Sequence, residues 1–302
     1  MVIILGATND CHALHMLSAC HKSGIRAALF DTSLFPSESS ISWDPVANDG
    51  ALIIDSQRYG FKEIDSVFWS TIGQPVMGQG THTPVNQIAM CDSSSTLRTF
   101  FAEQSIAWVN SWQAFDFHRV KPRQLSLAAQ QGVPIPHTYI GNDPDELVAF
   151  TQEHGKTICK PVYGGAHATL VDPSLLVLSR LQKVLKHAPV TIQRYIEGTN
   201  VRTFVIDQEV FSAEIISNQV DFRMHSEPEH LPISTPVPIQ AIAVDLCHKF
   251  GLKWTAIDWR RNDEGDYVFL EANPSPMFIH FEQLTGYPIT ARLLSLLSKH
   301  PH

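Results

Sequence analysis

The chain of 302 residues is 44% hydrophobic, enough for a large core and for two or three domains. Its formal net charge of -8 lacks the basic footprint of a nucleic-acid binder, and no apolar run reaches the roughly 18 residues of a membrane span. Five scattered cysteines (Cys11, Cys20, Cys91, Cys159 and Cys247), with no C-x-x-C pair, read as reduced thiols in a cytoplasmic protein. Cys11 and His15 lie one helical turn apart, but a structural zinc wants about four ligands, so the pair reads as packing.

The opening "MVIILGATND" has no basic n-region and reads as a first strand over 2–5 rather than a signal peptide. A helical stretch to about Ser23 and a strand "RAALF" at 26–30 complete a β-α-β order, which predicts a parallel sheet. A single glycine, Gly6, follows the first strand, so no G-x-G-x-x-G dinucleotide fingerprint is present and a dehydrogenase reading fails. "ALIID" and "SVFW" are further strands, residues 71–84 are a loop, and a helical pattern runs from about Asn86 to Ala107. Beyond Asn110, "KPRQLSLAAQQG" reads as a helix stopped by Gly132. "DPDELVAFTQEHG" has an Asp143 cap, Pro144 at its first position and a Gly155 stop. The strands "TICKPV", "VTIQRYI", "VRTFVID", "EVFSAEII", "TAIDW" and "VFLEANP" follow, with turn signals "DQE" and "NDEG", so this part is mostly antiparallel.

Chemistry gathers on the last hairpin. Asp258 falls roughly opposite Leu270 to Glu271, and Glu271 and Asn273 share a face because strand side chains repeat every two residues. Two carboxylates and an amide oxygen are hard ligands suited to magnesium held together with phosphates. A strand end meeting water would explain the same three residues. Lys160 interrupts an otherwise apolar strand, where a lysine needs an anion or a route to solvent. Gly164 and Gly165 follow it and would let backbone N–H groups approach a phosphate, although an edge strand with an ordinary glycine turn fits too. "IQRYIEGTNVRTF" is a strand broken at Gly198, which exposes backbone groups able to read an adenine edge. Asn200 and Arg202 share one face beyond that break, and Arg223 offers a planar fork of donors.

Taken in order, two lysines, a glycine loop, a broken hinge strand, arginines and an Asp-Glu-Asn set resemble the ATP-grasp superfamily, nearest to the ribosomal-protein S6 glutamate ligase type, over about residues 109–300. The resemblance implies that Lys121 and Lys160 hold nucleotide phosphates together with Gly164 and Gly165. It implies that Gln193, Tyr195 and Ile196 belong to the adenine hinge, and that Asn200 lies near the ribose. Arg202 and Arg223 would serve the phosphate and acyl region, with Lys160 and Arg223 catalytic, and Asp258, Glu271 and Asn273 would bind magnesium. "LFDTSLFPSE", "IDSVFWSTIGQP" and "FLEANPSPMFIHFEQLTGYPITARLLSLL" look like the microviridin-type graspetide ligases, which join side chains within a ribosomal peptide. Ser70 and Thr71 stand where those relatives often carry arginines, Asn200 where they often carry Asp, and "PSPMF" follows Asn273 in place of Gly-rich or Gln-bearing text.

The implied fold is α/β, turning α+β in the C-terminal part: an ATP-grasp fold behind a Rossmann-like N-terminal domain. The expected divisions are 1–108, 109–188 and 189–302. The implied enzyme is a carboxylate–amine or carboxylate–hydroxyl ligase that uses ATP and Mg2+, with Mn2+ as a substitute. Its substrate is a peptide or an amino acid, its partners include neither nucleic acid nor membrane, and a homodimer is the base-rate assembly. A ligase of free amino acids or small acids, one that adds a residue to a protein terminus, and a nucleotide-binding module without catalysis are the competing readings. The loop around Tyr163 to His167 is the candidate lid.

Overall fold

A computed structural model describes residues 1–73, 83–163, 166–217 and 228–299. The chain groups into two compact units: Met1–Phe115 with Gly251–Trp254 and Ser275–His302, and Asp116–Phe250 with Thr255–Pro274. Residues after Pro274, expected in the C-terminal subdomain, therefore group with the first unit.

The first unit begins with β1 (Val2–Leu5), α1 (Cys11–Lys22) and β2 (Ala27–Phe30). β3 (Ser40–Asp44), β4 (Asp49–Ile54) and β5 (Gln57–Gly60) form an antiparallel meander. Then come β6 (Ser66–Trp69), α2 (Pro84–Phe101), β7 (Ala107–Val109) and α3 (Trp112–Arg119), the last running on into the second unit. The main sheet, in order β2-β1-β6-β7, is parallel throughout, as the β-α-β pattern predicts. Gly6 has a packing reason: a Cβ there would lie 2.4 Å from that of Ala13, so the missing side chain lets α1 come close. Asp10 caps α1, its Oδ1 accepting from the N–H groups of His12 and Ala13 at 2.9 and 3.2 Å.

Two expectations change here. The helix expected to reach Ala107 stops at Phe101, because "IAWV" pairs as β7 beside β6. "ALIID" lies in the separate meander and not in the parallel sheet. The core of this unit is strongly aromatic. Trp69 stacks on Phe115 with centroids 4.4 Å apart, Trp112 stacks on Phe101 at 5.7 Å, and Trp108 meets Trp69 edge-on.

The second unit starts with α4 (Lys121–Gln130), β8 (Thr138–Gly141), α5 (Pro144–His154), β9 (Thr157–Pro161) and β10 (Thr169–Leu170). It continues through α6 (Leu178–Val184), β11 (Val190–Arg194), β12 (Thr199–Ile206), β13 (Glu209–Ile216), β14 (Glu229–Ile233), α7 (Val237–Lys249), β15 (Trp254–Arg261) and β16 (Tyr267–Asn273). After β16 the chain returns to the first unit as α8 (Ile279–Thr285) and α9 (Ile289–Ser298). α5 obeys its signals: Asp143 Oδ1 takes the N–H groups of Asp145 and Glu146, and Gly155 turns to φ +66°.

One sheet of this unit runs β10-β9-β11-β8 and the other β14-β13-β12-β15-β16. The β12–β13 and β15–β16 pairs are antiparallel and turn at the expected places, with Asp207 at φ +56° and Gly265 at φ +91°. Strand β9 lies between β10 and β11, but β10 pairs only with Ile158 and Cys159, so Lys160 stands beyond its end and the edge explanation for it persists.

Candidate active site

Five strands (β9, β11, β12, β15 and β16), the segment after β11 and one helix of the second unit carry the described residues singled out from the sequence. Asp258 on β15 is the register partner of Glu271 on β16, and Asn273 lies opposite Ala256, so the three share one face of the sheet. The register slips by one residue just beyond Asp258, a bulge of the sort that re-aims a side chain. Arg202 on β12 meets Asp258 in a two-pronged ion pair, Nε to Oδ1 and Nη2 to Oδ2, both at 2.8 Å. Lys121, at the first position of α4, pairs with Oε2 of Glu271. The chain's own cations thus balance both carboxylates, which answers the problem of burying two acids in an apolar sheet.

Two carboxylates, opposite in register and followed by an amide oxygen two residues on, form a hard-oxygen donor set that fits magnesium. Side-chain exposures of 11% for Asp258 and 17% for Glu271 leave both carboxylates reachable from solvent. No group of three or more His, Cys, Asp and Glu is placed to hold a metal among the described residues, so Asn273 is needed to complete a protein ligand set.

The second cationic position is Lys160 on β9. Its Nζ donates to Oε1 of Gln193 on β11 at 3.2 Å. Gln193 is fully buried and donates in turn to Thr138 Oγ1 at 2.9 Å. The row Lys160–Gln193–Thr138 crosses three strands and fixes where the ammonium sits.

The hinge follows β11. Tyr195 N–H bonds to Lys156 O at 2.9 Å, and the break comes at Gly198, whose φ is +119°. A Cβ on Gly198 would lie 2.0 Å from the Arg261 carbonyl oxygen, so only glycine fits. Arg260 organises this segment, and the sequence reading missed it. Its Nε donates to Ile196 O at 2.9 Å, Nη1 to Asn200 Oδ1 at 3.0 Å and Nη2 to Gly198 O at 2.5 Å. Its guanidinium also lies 5.3 Å from the Tyr195 ring centre. The available signal was its position two residues after Asp258, hence on the same face. The carbonyl of Ile196 and the oxygen of Asn200 are thereby engaged within the protein, which narrows what either offers a nucleotide.

A buried glutamine and a half-buried histidine brace the hairpin along the outer side of β16. Gln124 on α4 exchanges both of its amide groups with Ala272, Nε2 to the carbonyl and Oε1 from the N–H, each at 2.9 Å. His118 Nδ1 lies 2.9 Å from the same carbonyl oxygen. Burial, then the nearby charge of Lys121, hold His118 below the ordinary histidine value, so at neutral pH it is uncharged with Nδ1 as the donor. Gly164, Gly165 and Arg223 fall outside the described residues, as does most of the 71–84 loop. His15 bonds to Thr290 Oγ1 at 2.8 Å and Cys11 is exposed.

This architecture has close counterparts. The profile of the RimK-like ATP-grasp domain matches residues 118–297, more than half the chain. A probable alpha-L-glutamate ligase of Legionella pneumophila (strain Corby) is 28% identical over 204 residues, 63% of this chain and 67% of that protein. Among solved structures, the ATP-grasp ligase PsnB complexed with minimal precursor, Mg and ADP superposes with a TM-score of 0.84 at 27% identity, covering 98% of this chain and 96% of that one. Macrocyclase MdnC from Microcystis aeruginosa MRC, bound with precursor peptide MdnA, gives 0.86 over 98% of both chains; at 23% identity it speaks for the fold. ATP-grasp ligases use ATP and Mg2+. The chain belongs to the RimK-like ATP-grasp family and is an ATP-grasp ligase.

Proposed function

We propose that this ligase activates a side-chain carboxylate of a peptide and joins it to a hydroxyl or amine of the same peptide. The observation that carries this reading is the likeness to PsnB, whose complex holds a precursor, over 98% of the chain and both units. The carboxylate attacks the γ-phosphorus of ATP, ADP leaves, and an acyl phosphate forms. The hydroxyl or amine then adds to the acyl carbon, and phosphate leaves with the C–O bond pair.

In this reading Lys121 and Lys160 hold phosphate oxygens, Gly164 and Gly165 serve the same phosphates, and Arg223 and Lys160 serve the reacting groups. Tyr195 covers the base, Ile196 contributes its N–H, and Gln193 positions Lys160 under the nucleotide. Asn200 and Arg202 lie beside the ribose and phosphates. Asp258, Glu271 and Asn273 are the magnesium ligands, and Mn2+ would satisfy the same oxygens. When bound, the metal neutralises charge on the phosphate oxygens. Arg202 and Lys121 balance the carboxylates until the nucleotide arrives, which keeps both acids aimed. Residues Tyr163 to His167 would shield the acyl phosphate from water.

Addition of glutamate or another amino acid is the second reading, favoured by the curated relatives. Mass spectrometry of peptide and small-molecule fractions incubated with the enzyme and Mg-ATP separates the two. Loss of one water per cross-link from a peptide supports internal ester or amide formation. Gain of a residue mass by any acceptor overturns it in favour of intermolecular ligation. The same reading places the enzyme in the cytoplasm, where ATP is available, and takes a homodimer as its assembly, which light scattering would test.

A further inference from the structure

Among the described residues strand β16 ends its sheet, so one side of its backbone has no neighbouring strand there. Residue by residue, that bare side would leave polar groups needing partners, and water or another chain is the usual answer. At Ala272 the answer is a side chain. Gln124 offers an amide N–H to the Ala272 carbonyl and an amide oxygen to the Ala272 N–H, both at 2.9 Å, which copies the two-bond exchange of an adjacent strand. Gln124 is 2% exposed, so water is shut out of the contact. His118 adds a second donor to the same carbonyl, from α3.

Ala272 is the residue between Glu271 and Asn273. Its own side chain is buried on the opposite face, so its backbone is the point at which α4 can hold the strand between those two neighbours. We propose that Gln124 is a positioning residue for the metal site: it clamps the peptide units on either side of Ala272 and thereby fixes the carboxylate of Glu271 and the amide of Asn273. This rests on the assignment of Glu271 and Asn273 as magnesium ligands made above. Outer contacts of this type orient ligands they never replace, and their loss weakens a metal about 10- to 100-fold. α4 thereby has two duties, with Lys121 at its start facing Glu271 directly and Gln124 one turn on holding the strand beneath it.

The test is a calorimetric titration of ADP binding at increasing Mg2+, on the full chain. Gln124→Met keeps length and removes both polar groups. It should need about 10-fold more Mg2+ for half-maximal enhancement of ADP affinity, while ADP affinity without metal stays within about twofold of wild type. An unchanged Mg2+ midpoint, or an equal loss of metal-free ADP binding, overturns the proposal, the second because it would make Gln124 a general support of the unit. If Gln124→Met does not fold, His118→Phe, which removes one donor to the same carbonyl, is read on the same titration. A midpoint raised about threefold upholds the clamp and an unchanged one overturns it. Glu271→Gln serves as the control. If that variant keeps the wild-type midpoint, the metal assignment fails, independently of whether Gln124 holds the strand.

Discussion

The parallel sheet of the first unit and the five-stranded sheet of the second are both built from runs that look apolar, and they differ in what alternate residues carry. In β1, Val2, Ile3, Ile4 and Leu5 are all at most 2% exposed, and each is a hydrocarbon, so either face can be covered without partners. In β15 the stretch from Thr255 to Arg260 is also buried, nowhere above 8% exposed, yet Asp258 and Arg260 alternate with Ile257 and Trp259. Burying charge on that scale requires a partner for every group. Arg202 meets Asp258, and Arg260 meets three oxygens of the hinge. The lesson is that burial alone does not mark a structural strand. A strand buried with charges that are individually matched is a working surface.

Substitutions should break this contrast in different currents of measurement. On the polar side, Glu271→Ala and Lys160→Ala should each reduce turnover by at least about 10²-fold and leave the unfolding temperature near wild type. Full activity in either variant would remove that residue from the site. On the apolar side, Ile3→Ala should cost about 2–5 kcal/mol of stability by denaturant unfolding. Its folded fraction should bind ADP with wild-type affinity, and weaker binding by that fraction would contradict the division of roles. Arg260→Met tests the border between the two kinds of residue. It leaves the Ile196 and Gly198 carbonyls without their donor, and ADP affinity should fall roughly tenfold while turnover at saturating ATP changes less. An unaltered ADP dissociation constant would show that the hinge holds its shape without the guanidinium.

The smallest effect is a pH dependence in the first unit. Burial pushes the Asp10 carboxyl up, but the hydroxyls of Ser70 and Thr71 and the N–H groups of Ala13 and His12 outweigh it and hold the group below the ordinary 3.8. A depressed carboxyl contributes stability that is complete above its unfolded value and lost as pH falls through the folded one. The stability difference between wild type and Asp10→Asn should therefore be constant near neutrality and shrink once the pH drops below about 4. A difference that grows on acidification would reverse the sign of the argument.

Much of this arrangement was legible because local rules and the fold agree. Asp143, Pro144 and Gly155 mark a helix whose ends lie where they indicate, and "DQE" and "NDEG" turn the hairpins they name. Turn length and strand period bring Asp258 only to the neighbourhood of Leu270 and Glu271; the bulge beyond Asp258, which no local signal marks, sets it opposite Glu271. What the sequence could not give was pairing at a distance. Gln124 and His118 are ordinary helix residues until α4 lies along β16, and Arg260 looks like half of a solvated "RR" until β12 is placed beside it. β7 was hidden because three residues are too few for an alternating pattern. "ALIID" reads the same in a meander as in a parallel sheet, since a short apolar run does not name its neighbours.

The aromatic core of the first unit has an optical consequence. Of the six tryptophans, Trp43, Trp69, Trp108, Trp112 and Trp254 belong to that unit, and Trp259 alone belongs to the second. Trp69 and Trp108 have ring centres 6.1 Å apart and Trp69 and Trp112 5.9 Å, close enough for their excited states to couple. Intrinsic emission and near-ultraviolet dichroism of this protein therefore report chiefly on the first unit, to which none of the residues proposed to bind nucleotide belongs. Trp259, buried with its indole N–H on Thr203, is the single tryptophan of the second unit. The difference spectrum between wild type and Trp259→Phe would isolate the tryptophan signal of the second unit, without any dye attached to the chain.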